Sequence, residues 1–495
     1  MKAAKVYPSA EQFAKLAKKG NLVPVWTEIP ADFDTPLSAY LKLEGTGPAY
    51  LLESVEQGEK LGRYSFLGSS PRWILESKGR QMSLREGKKI RRWTTASDPL
   101  RELELLLGRY RAVETEGLPR FSGGVVGYAG YEMVRFLEPV GAAKKDKLGV
   151  PDSIWMLSDS VVVFDHVERR MKLVVNALIS DDPARAYRQA VQTLNRLTLK
   201  MKTPLRSSAA RKPAAASKKV ASNLSKAAFV KAVREAKKAI SAGEIIQVVL
   251  SQRFSRRASV PAFDIYRALR SINPSPYMFY LNLGSFALAG TSPEILVRCE
   301  EGVVETRPIA GTRRRGKTAA ADLQIEQGLK RDPKERAEHL MLADLGRNDI
   351  GRVCEYGSVK LSDWMSVERY SHVMHLVSSV VGKLRKGFTA FDVLRAAFPA
   401  GTVSGAPKVR AMQIINELEP DARGPYAGAV GYIGFSGNLD TCITIRTVLV
   451  KNKIASVQAG AGIVADSKPE REYQETCNKA AGMLRAIDLA QRGQS

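Results

Sequence analysis

The chain has 495 residues, 44% of them hydrophobic, with a net charge of +25 from 76 Lys+Arg against 51 Asp+Glu. That length supplies the core of roughly two or three domains, and no apolar run reaches the roughly 18 residues that span a bilayer. Four cysteines without C-x-x-C spacing argue against zinc ribbons and secreted disulfide scaffolds and fit a reducing cytoplasm. The start, "MKAAKVYPSAEQFAKLAKKG", has no apolar signal core and carries Glu11, so it reads as a surface helix. Short β-rich runs follow: "WILES", "GGVVGYAGYE" and "SVVVFDHVERRMKLVVNAL", separated by turn residues. Residues 201–222, rich in Ala, Ser, Lys and Pro, read as a basic low-complexity linker between residues 1–200 and 223–490. Beyond it Ser225 caps a helix whose apolar stripe is Phe229, Val233, Ala236 and Ile240; Gly243 ends it and a strand follows. Irregularly ordered strands and helices argue an α+β fold.

The positive charge raises nucleic acid as a partner. Aromatics are only 7%, with no interleaved stacking pattern, which argues against it. The densest basic run, in "ETRPIAGTRRRGKT" (305–318), reads as a solvated loop from Arg313 to Lys317.

Several polar residues stand out further on. Glu294 in "GTSPEILV" precedes an apolar strand, where a turn residue is the plain alternative. In "RDPKERAEHLMLADLGRND", Asp332 caps a helix, Pro333 suits its first turn and Glu335 completes a capping-box spacing. Glu338 is then either an ion-pair member or a ligand for a hard metal. His375 in "SHVMHLVSSVVG" reads as a core histidine or a functional one. Arg446 interrupts the β-branched "DTCITIRTVLV" and needs an anionic partner if it points inward. In "QAGAGIVADSKPEREYQETCNKA", Gly460, Ala461 and Gly462 match a dinucleotide fingerprint, but too little chain follows for that domain. They read instead as a turn presenting N–H groups to an anion. Ser467 and Glu470 form a capping-box spacing, and Glu475 either pairs with Lys479 or serves a site.

The stretches "LLESVEQGEKLGRYSFLG", "AGEIIQVVLSQRF", "NPSPYMFYL", "GTSPE", "TRPIAGTRRRG", "EHLMLADLGRNDIGRV", "AGTVSGAPKVRAMQIINELE", "YAGAVGYIG", "DTCITIRT" and "VQAGAGIVADS" together resemble the chorismate-utilising enzymes, and within them the anthranilate synthase component I group. The resemblance implies large packed β-sheets surrounded by helices, with residues 1–200 as a tryptophan-sensing region and 223–490 as the chorismate-binding catalytic domain. It implies that chorismate and ammonia become anthranilate and pyruvate in the first step of tryptophan biosynthesis, with the ammonia drawn from glutamine by a separate glutamine amidotransferase subunit, component II.

By the same resemblance Glu338 and Glu475 bind Mg²⁺, Glu294 is the general acid, and His375 serves the elimination of pyruvate. Gly311, Thr312, Tyr426 and Arg446 hold the enolpyruvyl carboxylate, and Gly460, Ala461 and Gly462 present backbone N–H groups. Ser54, Lys60, Pro276, Tyr277 and Met278 match an inhibitory L-tryptophan pocket. Gln247 stands where isochorismate synthases carry a lysine base, and Ala310 where aminodeoxychorismate synthases carry a covalent lysine; both point to direct ammonia addition. An aminodeoxyisochorismate synthase that keeps its pyruvate, or a non-catalytic basic binding protein on the same fold, are the alternatives.

Overall fold

The computed structural model describes residues 5–45, 47–54, 62–205, 219–369 and 373–493. Local signals in the sequence become elements where expected. "SVVVFDHVERRMKLVVNAL" is a hairpin of strands Ser160–Asp165 and Arg170–Leu178, with Asp165 accepting from the amides of Val167 and Glu168 in its turn. Ser225 accepts from the Ala228 amide and caps helix Lys226–Ser241, which buries Phe229, Val233 and Ala236. The presumed linker is shorter than its composition suggests. Helix Pro183–Lys202 runs into it and strand Ala221–Ser222 closes it, and residues 206–218 lie outside the described residues.

Among the described residues two large sheets, of 13 and 12 strands, form the body, and every pairing between named strands is antiparallel. Each sheet draws strands from both sides of the linker. In the first, Ala49–Glu53 pairs with Tyr277–Asn282 (Glu53 opposite Met278). In the second, Gly124–Ala129 pairs with Ala429–Gly434. The sheets share a buried layer that includes Tyr50, Phe66, Phe279 and Leu288 from one and Val126, Met156, Val430 and Cys442 from the other. Helices cover the remaining apolar faces: Pro469–Gln491 packs Met483 and Ile487 with Val448 and Val457, while Phe391 and Met412 join Leu250 and Val297. This is the α+β arrangement of packed sheets ringed by helices that the sequence predicts. Among the described residues no helix is long and apolar enough to cross a membrane.

Two neighbouring crossovers between the sheets position the site. Strand Phe286–Ser292 belongs to the first sheet and Ile295–Glu300 to the second, so Pro293 and Glu294 lie where the chain changes sheet. Leu439–Ile443 and Thr447–Lys451 make the reverse change through residues 444–446. Hydrogen bonds tie the crossovers together: Ile443 N–H donates to the Glu294 carbonyl (3.0 Å) and Thr291 N–H to the Arg446 carbonyl (3.2 Å). Arg446 therefore does not interrupt a strand. It sits between two, at φ +51°, a left-handed conformation that a non-glycine residue adopts at a cost and that clusters at functional sites.

Candidate active site

Beside these crossovers opens a cavity of about 890 Å³. Its walls include Glu294, Tyr426 and Arg446, then Gly311, Thr312 and His375, then Glu338 and Glu475, then Gly460 and Gly462. Residues from Glu294 to Glu475 in sequence thus meet in one space. Ala461 does not join them; strand alternation turns it into the helix-covered core, fully buried.

Glu294 is buried, and Thr402 Oγ1 donates to its Oε1 at 2.9 Å. Burial pushes the carboxyl up to about 8 against the opposing pull of Thr402, Arg446 and Lys479. At neutral pH it is therefore mostly protonated, a proton donor rather than an anion. Its neighbour Arg446 is itself held below its ordinary range by desolvation, against the pull of Tyr426, Glu475 and Glu294, and a substrate anion placed beside it would gain a charge-assisted partner. The Tyr426 phenol is pushed up to about 12, first by burial, and stays a neutral donor.

A β-bulge sets the next wall. Strands Ile309–Arg314 and Val373–Lys383 slip register between Ala310 and Thr312, bringing Thr312 opposite His375. Thr312 Oγ1 and His375 Nδ1 are 3.0 Å apart. Gly311 occupies the bulge at φ +69°, and a Cβ there would meet Glu335 Oε2 at 3.1 Å. Burial lowers the His375 pKa, so its ring is neutral and able to take a proton. The basic run beyond is not a solvated loop. Arg313 pairs with Asp332 (2.9 Å) and Glu335 (2.6 Å), and Arg315 with Asp322 (2.7 Å). Glu335 is thereby drawn off the capping box; Asp332 alone caps helix Pro333–Gly351, accepting from the Lys334 and Glu335 amides.

The glycine segment is strand rather than turn. Strand Ile454–Ile463 pairs with Gln247–Arg257 along its whole length, but with Thr447–Lys451 only through Val457. Beyond that point one edge of the strand has left that neighbour, and Gln458, Ala459, Gly460 and Gly462 line the cavity. Side chains do not fit there: a Cβ on Gly460 would come 2.6 Å from Tyr426 Oη, and one on Gly462 2.8 Å from Gln247 Nε2. Ser467 caps nothing; it accepts from the Val464 amide, and helix Pro469–Gln491 begins with Lys468 at the N-cap.

The acidic corner comprises Glu335, Glu338, Glu472 and Glu475. Burial first, and then the charges of Glu335 and Glu475, raise the Glu338 carboxyl above its usual range. Burial and Glu475 do the same for Glu472. Lys479 offsets part of this charge by pairing with Glu475 at 2.6 Å while donating to the Gly460 carbonyl. A set of hard carboxylate oxygens that repel one another, open to a cavity, suits Mg²⁺, which takes a few carboxylates plus water and substrate oxygen. Among the described residues no group of three or more His, Cys, Asp or Glu side chains is placed to hold a metal ion, so such an ion would rest on fewer carboxylates.

A second, smaller pocket of about 50 Å³ lies between the sheets. Ser54, Pro276, Tyr277 and Met278 line it; Lys60 lies outside the described residues. The Ser54 hydroxyl is buried, with no hydrogen-bond partner among the described residues. Tyr277 donates to Asp440 (3.0 Å) and accepts from Arg298 (3.0 Å). Pro276 lines both this pocket and the large cavity. Thr402 and Gln458 are site residues that sequence reasoning missed, whereas the Glu475–Lys479 pair it offered is present. Thr402 and Gln458 stand in stretches that carried the resemblance, but nothing local marks them.

Residues 47–485 match the model of the chorismate-binding enzyme family. Anthranilate synthase component 1 of Acetivibrio thermocellus is 47% identical over 98% of this chain and 99% of its own length. That of Aquifex aeolicus is 48% identical over the same shares. The crystal structure of anthranilate synthase component I from Streptococcus pneumoniae superposes with a TM-score of 0.78 at 37% identity, covering 92% of this chain and 98% of that one. The menaquinone-specific isochorismate synthase MenF of Escherichia coli shares the fold at 20% identity and a TM-score of 0.71, covering 97% of this chain and 98% of its own.

Proposed function

The chain belongs to the chorismate-binding enzymes, in their anthranilate synthase component I branch, and from that premise we propose that it converts chorismate and ammonia to anthranilate and pyruvate in a Mg²⁺-dependent lyase reaction. One observation carries the reading: a protonated buried acid, a desolvated arginine, a neutral histidine and a repelling carboxylate cluster line a single cavity.

Arg446 and Tyr426 hold the enolpyruvyl carboxylate by charge-assisted hydrogen bonds, against the wall made by Gly311 and Thr312. Glu338 and Glu475 would hold Mg²⁺, which would tether the ring carboxylate and offset its charge. Glu294 gives its proton to the C4 hydroxyl, which leaves as water while ammonia adds at C2. Gln247, whose Nε2 is 3.5 Å from Glu338 Oε1, supplies no base, and ammonia needs none. His375 then takes the C2 proton as pyruvate departs and the ring becomes aromatic.

Component II delivers the ammonia, as the relatives' naming supports, and free ammonium replaces it in vitro. L-Tryptophan occupies the pocket at Ser54 and Met278 and inhibits by favouring one of two states; Pro276, shared by both cavities, supports that coupling. All four cysteines are free thiols, which supports a cytoplasmic setting. The test is anthranilate fluorescence from the purified chain with chorismate, Mg²⁺ and an ammonium salt. Fluorescence that Glu338→Gln abolishes is expected. Chorismate consumed without fluorescence would point to aminodeoxyisochorismate or isochorismate, separated by chromatography, and untouched chorismate would overturn the catalytic reading.

A further inference from the structure

Glu294 has a second side. Away from the substrate cavity it lines a separate void of about 30 Å³, room for about one water. Thr402 lines both spaces, and its hydroxyl donates to Glu294 Oε1. Apolar side chains, Ile295, Leu296 and Leu342 among them, wall part of the void, and Asp349 lines it as well. Asp349 is 9% exposed, and its Oδ2 is 2.6 Å from Lys408 Nζ. Asn348 and Pro407, the chain neighbours of that pair, line an open groove of about 660 Å³. Polar groups thus stand on both sides of the void: Thr402 and Glu294 on one, and on the other Asp349 with its partner Lys408, whose chain neighbours reach the groove.

On the reaction proposed above, Glu294 is left as a buried carboxylate after each turnover while substrate fills the cavity in front of it. We propose that Asp349 and Lys408 form a proton path that recharges Glu294 from behind, through one water in the void and the Thr402 hydroxyl. In the forward step the Glu294 O–H bond breaks, its proton passes to the C4 oxygen, the C4–O bond breaks and water leaves. In the return step Thr402 gives its hydroxyl proton to the carboxylate and takes one from the void water. That water is refilled from Asp349, and Asp349 from Lys408 and groove water. The proton returned matches the one lost when the nitrogen added at C2 passes from ammonium to amine, so no net proton, oxidant or reductant is needed.

Two observations favour protons over ammonia as the traffic. The void holds about one water rather than a file of molecules. Its two acids also exchange protons near neutrality, since burial lifts Glu294 to about 8 and Asp349 to about 6. The charged groups facing Asp349 are Lys408, Arg352 and Glu138; the first two favour its ionised form and the third opposes it.

Asp349→Asn, assayed as the full chain with chorismate, Mg²⁺ and ammonium, tests the path. The expected result is a kcat lower by about tenfold or more, part of the 10²–10⁴ that proton transfer contributes. KM for chorismate stays within about twofold, the D₂O effect on kcat increases, and Asp349→Glu restores turnover. Asp349→Asn that turns over at the wild-type rate with the wild-type D₂O effect overturns the proposal. Breaking a buried pair is destabilising, so Lys408→Gln serves if the first variant does not fold. If neither folds, the pair is structural and the path is refuted. Should wild type itself make no anthranilate, it is the reaction that fails.

Discussion

Replacing Glu294 by Gln isolates the consequence of burying that carboxyl. Raising it from 4.5 to about 8 corresponds to roughly 5 kcal/mol between its two protonation states. The folded chain keeps the proton where the unfolded chain has lost it, so the stability it confers is complete below pH 4.5 and falls as pH rises through 8. The amide of Gln fills the same space and does not titrate. Denaturant unfolding of both proteins without metal, at pH 5, 7 and 9, therefore shows a difference that changes by about 4 kcal/mol, wild type losing ground as pH rises. Kinetics provide the second arm: the variant loses about 10²–10⁴ in kcat, and wild-type turnover, corrected for free ammonia, declines above pH 8. Stability curves that run parallel from pH 5 to 9 would refute the protonated-acid assignment.

Arg446→Gln leaves the substrate carboxylate without its charged donor; loss of about 1.5–3 kcal/mol raises KM for chorismate roughly ten- to a hundredfold in steady-state assays. Glu338→Gln removes a charge that Glu335 and Glu475 oppose, so calorimetry shows Mg²⁺ binding lost while the metal-free protein melts no lower than wild type. Gly460→Ala places a Cβ 2.6 Å from Tyr426 Oη; displacing the phenol raises KM for chorismate, measured beside an unchanged circular dichroism spectrum. Met278→Trp fills the pocket beside Ser54, so L-tryptophan ceases to raise the melting temperature or to inhibit, with ammonium-dependent turnover retained.

Local chemistry was legible and non-local competition was not. Ser225 and the stripe Phe229, Val233 and Ala236 specify their helix through neighbours three and four residues away. The capping box at Glu335 fails because Arg313, from a strand 22 residues earlier, takes its carboxylate. The box at Ser467 fails because that hydroxyl turns back to Val464. Gly460–Gly462 reads as a turn until strand Gln247–Arg257 claims it for a ladder some 210 residues away in sequence. Arg313 and Arg315 read as solvated until their carboxylate partners are placed.

By itself the sequence determined which reactive groups the chain owns: Glu294, His375, Arg446, Glu338 and Glu475, and the absence of a lysine at 247 and 310. Covalent identity and helix capping are properties of single residues and their near neighbours. Tertiary structure alone decided that these groups share one cavity, that Glu294 holds its proton, and that Thr402 and Asp349 stand behind it. Protonation is set by desolvation and by charges brought from distant strands, and a one-dimensional sequence contains neither distance nor solvent.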